Sequence, residues 1–271
     1  MTAHTDAELA RALAAQTGEL LTALRRDPPV GRSLRDAGDA AAHELIVRGL
    51  GQARPDDVVF SEEAADPRRR LAQRRVWIVD PLDGTREYGE PGREDWAVHI
   101  ALWADGALVA GAVALPALGE VYATDDPPSR PRPPAHPAHP TTPTPTHPTH
   151  PTHPGPRIVV SRSRPPAVAG VLASELGGEL LTLGSAGAKA AAVWRGRADA
   201  YVHTGGLHEW DAAAPVAVAA AAGLHTSRLD GAPLVFNQSE PYVPDLLICV
   251  PELADAILAR TTPHTSEVTR R

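Results

Sequence analysis

Val76-Trp77-Ile78-Val79-Asp80-Pro81-Leu82-Asp83-Gly84-Thr85 is the stretch whose reading decides the fold. A short apolar run ends abruptly in two carboxylates, with Pro81 fixing the turn between them. Such a run reads as a buried strand of an α/β protein, and acids at its carboxyl end stand where these folds bind ligands. Carboxylates this close repel unless a cation lies between them, and magnesium prefers a few carboxylates plus waters and phosphate oxygens. Gly84 lets the backbone come close to a ligand, and successive N–H groups at Gly84 and Thr85 can face an anion. A helix beginning there would add its positive end. Taken alone, Asp-Pro-x-Asp-Gly also reads as an ordinary surface turn, and it is the preceding apolar run that favours a site.

Working outward, Val58 to Phe60 is a second apolar run that ends in acids, at Ser61, Glu62 and Glu63. By itself this pair also reads as a solvated loop. Upstream, Thr5 and Glu8 have capping-box spacing, and Leu9, Leu13, Leu20 and Leu24 then mark a helix that ends before Asp27. A second helix is expected from around Asp39, carrying Leu45, Ile46 and Leu50 inward. Downstream, Trp96 to Trp103 and Ala107 to Leu115 form a hairpin about Ala104, Asp105 and Gly106, and Val121 to Thr124 adds a strand. Arg68 to Arg70, Arg74 and Arg75 read as a solvated basic face.

From Asp126 to Pro156 the chain is dominated by Pro, His and Thr, which predicts an exposed, PPII-like loop. His147, His150 and His153 recur every third residue there, a period that suits a transition metal but also an ordinary solvated linker. Beyond it, strands are expected at Ile158–Ser161, Leu180–Leu183, Ala200–His203 and Leu246–Val250, and helices at Pro166–Leu176, Ser185–Trp194 and Asp211–Ala222. This alternation is an α/β pattern of two packed halves, 1–125 and 157–271, joined by the loop 126–156.

The bulk properties narrow the function. With 271 residues, 43% hydrophobic and 22% charged, the chain can build a real core. Its net charge of -7, without a dense Lys/Arg cluster, argues against a nucleic-acid polymer as partner. The single cysteine, Cys249, allows no internal disulfide and fits a reducing cytoplasm. No signal-peptide core and no membrane span are read from the chain. Any metal must therefore sit on oxygen or imidazole ligands.

Glu209, Trp210 and Asp211 lead into the Ala-rich run AAAPVAVAAAAG, where Asp211 alone would pass for a helix cap. Together, Ser61-Glu62-Glu63, Trp77 to Thr85 and Trp210-Asp211-Ala212-Ala213-Ala214 with Ala222-Gly223 resemble the signature of the inositol monophosphatase superfamily, in the same order. SEE, DGTRE, DWAVHIALW, SRSRPP and GSAGAK are most similar to actinobacterial CysQ-type 3'(2'),5'-bisphosphate nucleotidases. The resemblance implies an αβαβα sandwich and a magnesium-dependent phosphomonoesterase that converts 3'-phosphoadenosine 5'-phosphate to AMP and phosphate, with a link to sulfate assimilation. Inositol-1-phosphate or a sugar phosphate such as fructose-1,6-bisphosphate is the alternative substrate. A non-catalytic metal- or nucleotide-binding protein is the alternative of another class.

Residue by residue, the resemblance implies that Glu62, Asp80 and the Leu82 carbonyl hold one magnesium, and Asp80, Asp83 and Asp211 a second, with a third near Glu62. A metal-bound water would attack phosphorus, oriented by Thr85, with its proton drawn off by Asp39 or Asp36. The family usually has V-T-x-A-D before its second helix, whereas this chain reads Leu34-Arg35-Asp36-Ala37-Gly38-Asp39, which leaves the acceptor open between the two acids. Gly84, Thr85, Gly184, Ser185 and Ala186 would line the substrate pocket. Lys189 would meet a second phosphate or stay a solvated helix lysine, while His208 and Glu209 would touch a sugar or base. Arg86 would steer a dianionic substrate or pair with Glu87 or Glu90. Inhibition by lithium and calcium and a homodimeric assembly are further expectations.

Overall fold

A computed structural model describes residues 4–28, 33–129 and 155–268, with side chains described to residue 261. The Pro/His/Thr-rich run, His147, His150 and His153 included, lies outside the described residues for all but its ends. Two five-stranded sheets carry the chain, one on each side of that run. The first holds β1 (Val58–Ser61), β2 (Arg75–Asp83), β3 (Ala97–Ala104), β4 (Ala107–Leu115) and β5 (Glu120–Ala123), in that spatial order. The second holds β6 (Arg157–Ser161), β7 (Glu179–Leu183), β8 (Ala200–His208), β9 (His225–Ser227) and β10 (Tyr242–Cys249), in the order β7-β6-β8-β10-β9.

Helices fill the remaining layers. The helices α1 (Asp6–Arg26) and α2 (Leu34–Ala53) bury Leu9, Leu13, Leu21, Ile46 and Leu50 against Trp77, Val79, Val98 and Ile100 on one face of the first sheet. Between the sheets lie α5 (Ala186–Trp194) and α6 (Glu209–Ala221), both rich in alanine. Small side chains let two helices fit between two sheets, and their core joins Ile78 and Val113 of the first sheet to Tyr201, Leu246 and Ile248 of the second. On the far face, α4 (Ala167–Glu175) and α7 (Pro251–Val268) cover Ile158, Val160 and Leu247. The layers run α-β-α-β-α, as expected. Among the described residues no helix is long and apolar enough to cross a membrane.

Several local expectations are corrected. The second helix begins at Leu34, not near Asp39, because Ser33 caps it by accepting the Asp36 N–H at 3.2 Å. The helix expected at Gly84 is a single turn, α3 (Thr85–Gly89), too short to gather a useful macrodipole. Both β9 and α7 went unread from the sequence. The basic segment is solvated at Arg68, Arg69 and Arg74 as expected, and the exception is Arg70, which is fully buried, bonded to Asp66, to Asn237 Oδ1 at 2.8 Å and to the Gln238 carbonyl at 2.8 Å, with its guanidinium 4.1 Å from the Phe60 ring centroid.

Arg70 thus ties the first half to the loop that precedes β10, and its removal strands buried acceptors. Arg70→Ala is expected to cost about 3 kcal/mol of stability, measured by urea denaturation. A loss below about 1 kcal/mol would mean that the site relaxes around the deletion.

Candidate metal and phosphate site

The pairing of β1 with β2 explains how acids distant in sequence meet. The two strands run parallel, with Ser61 opposite Val79, so both carboxyl ends reach the same edge of the sheet. The next residues are Glu62 and Asp80, and the Glu62 N–H donates to the Val79 carbonyl at 3.2 Å. A register break in the β2–β3 ladder between Asp80 and Asp83 then turns the chain so that both aspartates reach one place. Asp211 arrives from the first turn of α6, where it also accepts the His208 N–H at 2.9 Å. It is cap and site residue at once.

Ligand-type oxygens of Asp80, Asp83 and Asp211 all lie within 4.8 Å of one another. Asp80 is buried, with Oδ1 accepting the Leu82 N–H at 3.0 Å and Oδ2 left without a hydrogen-bond donor among the described residues. Burial, then the charges of Glu62, Asp83 and Asp211, push its carboxyl well above the usual range. Burial, then Asp83 and Glu62, likewise raises Asp211 to about 7. Glu62 is exposed as a residue, yet loss of solvation around its carboxyl is the largest influence raising it to about 7. A proton shared between Glu62 and Asp80, or a cation, would satisfy the orphaned oxygen. Made of carboxylate oxygens alone and largely buried, this donor set fits a hard divalent cation.

Asp83 is gripped by the second half of the chain. Ser185 Oγ donates to Asp83 Oδ2, and so does the Gly187 N–H at 2.8 Å. Gly84 between them has φ 85°, and a Cβ there would lie 3.1 Å from both the Asp95 carbonyl and Ser185 Cβ. The missing Cβ therefore lets Asp95 and Ser185 pack closely against this turn. Gly184 donates its N–H to Asp95 Oδ2 at 2.6 Å, and Ala186 is buried at the start of α5.

At the other edge, Thr85 Oγ1 lies 3.1 Å from the Leu82 carbonyl and 3.4 Å from Asp39 Oδ1. Asp39 is half-buried, and burial followed by the Glu63 charge raises its carboxyl to about 6. Asp36 is exposed in the first turn of α2, where its N–H donates to the Ser33 hydroxyl, while Asp39 is the acid within reach of Thr85.

Two expected substrate contacts are corrected. Glu209 is fully buried, and its carboxylate oxygens accept the Asn237 N–H at 2.7 Å and the Gln238 N–H at 2.8 Å, so it anchors a loop and faces no ligand. Lys189 is buried under the site, with Nζ donating to the Gly184 carbonyl at 2.6 Å, and no solvated ammonium is left for a second phosphate. Arg86 is exposed; Arg162, instead, pairs with Glu87 and Glu90. His208 remains half-exposed beside Asp211.

A model of the inositol monophosphatase family matches residues 5–266. The chain belongs to the inositol monophosphatase family. A protein of Mycobacterium bovis named 3'-phosphoadenosine 5'-phosphate phosphatase is 48% identical over 83% of this chain and 81% of its own length. The 3'(2'),5'-bisphosphate nucleotidase CysQ of Escherichia coli K12 is 33% identical over 76% of this chain and 81% of its own. Among solved structures, CysQ from Bacteroides thetaiotaomicron superposes with a TM-score of 0.71 at 26% identity, covering 90% of this chain and 97% of that one.

In this member of the inositol monophosphatase family, His99 is a site residue that sequence reasoning missed. It is fully buried on β3, opposite Asp80 in the ladder, with Nδ1 donating to the Trp210 carbonyl at 3.2 Å and Nε2 lying 3.2 Å from Asp83 Oδ2. Burial holds its pKa below the ordinary value. A histidine in the alternating strand DWAVHIALW gives only a weak signal, since nothing local marks it as facing α6.

Carboxyls with raised pKa values stabilise a fold at low pH, below the unfolded value near 4, and lose that contribution as pH rises through about 7. Buried His99 and His203 act in the opposite sense, so comparison at one pH isolates the acids. At pH 8 in chelator, Asp80→Asn is expected to melt above the unsubstituted protein, and excess magnesium is expected to raise the melting temperature of the latter only. A variant that melts lower, or that gains equally from magnesium, would contradict the cluster's role.

Proposed function

We propose that this chain is a magnesium-dependent phosphomonoesterase that hydrolyses 3'-phosphoadenosine 5'-phosphate to AMP and phosphate in the cytoplasm. The observation that carries the reaction class is the convergence of Asp80, Asp83 and Asp211 within 4.8 Å, with an unpartnered oxygen on Asp80. The choice of substrate is supported by the name of the mycobacterial relative at 48% identity.

Glu62, Asp80, Asp83, Asp211 and the Leu82 carbonyl would hold the cations. Bound there, divalent cations supply charge neutralisation and Lewis-acid polarisation of the phosphoryl group. The chain's own contribution is orientation and proton handling. With the Leu82 carbonyl engaged by a cation, the single Thr85 hydroxyl hydrogen would turn to Asp39, leaving the Oγ1 lone pairs to receive a hydrogen from the attacking water, which fixes the direction of attack. As the water oxygen bonds to phosphorus and the bond from phosphorus to the ribose oxygen breaks, one water proton passes by way of Thr85 to Asp39, and the departing ribose oxygen takes up a proton from solvent. A carboxyl at about 6 is mostly ionised at neutral pH and sits close to the working range of a general base. Ser185 and Gly187 keep Asp83 from rotating, which matters because small misplacements of a catalytic group are costly.

Phosphate release with magnesium should show a higher kcat/KM for 3'-phosphoadenosine 5'-phosphate than for inositol 1-phosphate. A reversed preference would overturn the substrate. Thr85→Ala and Asp39→Asn are each expected to lower kcat by about a hundredfold or more while keeping the thermal shift with magnesium. Lithium and calcium should inhibit, since each brings the wrong charge or coordination preference to an oxygen site. Full activity in either variant would remove the proton route.

A further inference from the structure

Four aromatic rings run from the core to the surface beside the acid cluster. Phe60, at the end of β1, meets Trp210 edge-on with centroids 5.1 Å apart. Trp210 lies flat against His208 at 4.4 Å and 6°, and His208 meets Tyr242 at 4.4 Å with a tilt of 37°. Phe60 is 1% exposed and Tyr242 is 53% exposed, so the run is anchored at one end and open at the other. It also touches the site: the His208 N–H bonds Asp211, and His208 Nδ1 lies 4.0 Å from the same carboxylate.

Among the described residues, no side chain crowds Tyr242 from Gly205 or Gly206. In the β8–β10 ladder Tyr242 stands opposite His208, just past Gly205 and Gly206. Among the described residues, a Cβ added at Gly205 would meet nothing within 4 Å, and one added at Gly206 would meet only the Tyr242 ring, at 3.5 Å. A flat group approaching that ring therefore finds no side chain at these two positions. An isolated exposed ring needs no explanation, but one braced by two further rings next to a phosphate site does.

We propose that Tyr242, backed by His208 and Trp210, is the shelf on which the nucleobase of the substrate stacks. The inference rests on the reading that the substrate is a nucleotide, and it adds how the site tells nucleotide from compact polyol. Every base offers a π-face to an aromatic ring, whereas a polyol ring carries hydroxyls and has none. A nucleoside also extends well beyond its ester oxygen, while a compact phosphate ester ends close to the acids.

The test compares kcat/KM for 3'-phosphoadenosine 5'-phosphate with that for ribose 3,5-bisphosphate, the same ester without its base. Tyr242→Ala and Tyr242→Leu are expected to lower the ratio of the two about tenfold, chiefly through KM for the nucleotide, and Tyr242→Phe to keep it. Equal losses on both substrates, or no loss on either, would overturn the shelf while leaving the phosphatase reading in place. An unsubstituted protein inert towards both esters would overturn that reading and the shelf together.

Discussion

Three carboxylates with oxygens inside 4.8 Å of one another, one of them on a buried oxygen without a donor, cannot all ionise unless a positive charge joins them. The rest of the structure is arranged around that constraint. The parallel pairing of β1 with β2 brings Glu62 to Asp80, the register break in β2 brings Asp83 back to Asp80, and the start of α6 delivers Asp211. A fold that stores so much like charge at one point is unstable there by design, and a bound cation turns the liability into binding free energy.

The middle layer supplies the rigidity. The first turn of α5 bonds Asp83 through Ser185 and Gly187, while Lys189 one turn further on holds the Gly184 carbonyl from below. Asp83, Asp211, Glu87 and Asp95 all favour the Lys189 ammonium against the burial that lowers its pKa. The segment GSAGAK is therefore a clamp on the acids. Arg162 reaches across from the end of β6 to Glu87 and Glu90, so the second sheet also braces the single turn that follows Thr85.

Much of this was legible in the sequence where the signal was local. Apolar runs that stop at acids marked β1 and β2, and the capping box at Thr5 and Glu8 forms as read, with the Thr5 N–H 2.8 Å from Glu8 Oε2. What escaped depended on distant partners. The second helix was expected only from around Asp39, yet Gly38 lies inside α2, where the missing Cβ lets the helix pack against the Tyr88 ring, 2.8 Å from where that atom would be. Arg70, Lys189 and Glu209 read as solvent-facing or substrate-facing charges, since no local pattern reveals a buried counterpart more than a hundred residues away or on another strand's loop. Tyr242 carried no motif at all, and its meaning comes from the rings behind it.

The central claim is that the acids cage cations, and anomalous scattering from crystals soaked in manganese tests it most directly. The expected result is a peak bonded by Asp80, Asp83 and Asp211, with Glu62 and the Leu82 carbonyl turned to the same site. Crystals without a peak there, in which Asp80 and Glu62 instead stay paired through a shared proton at saturating metal, would contradict the account.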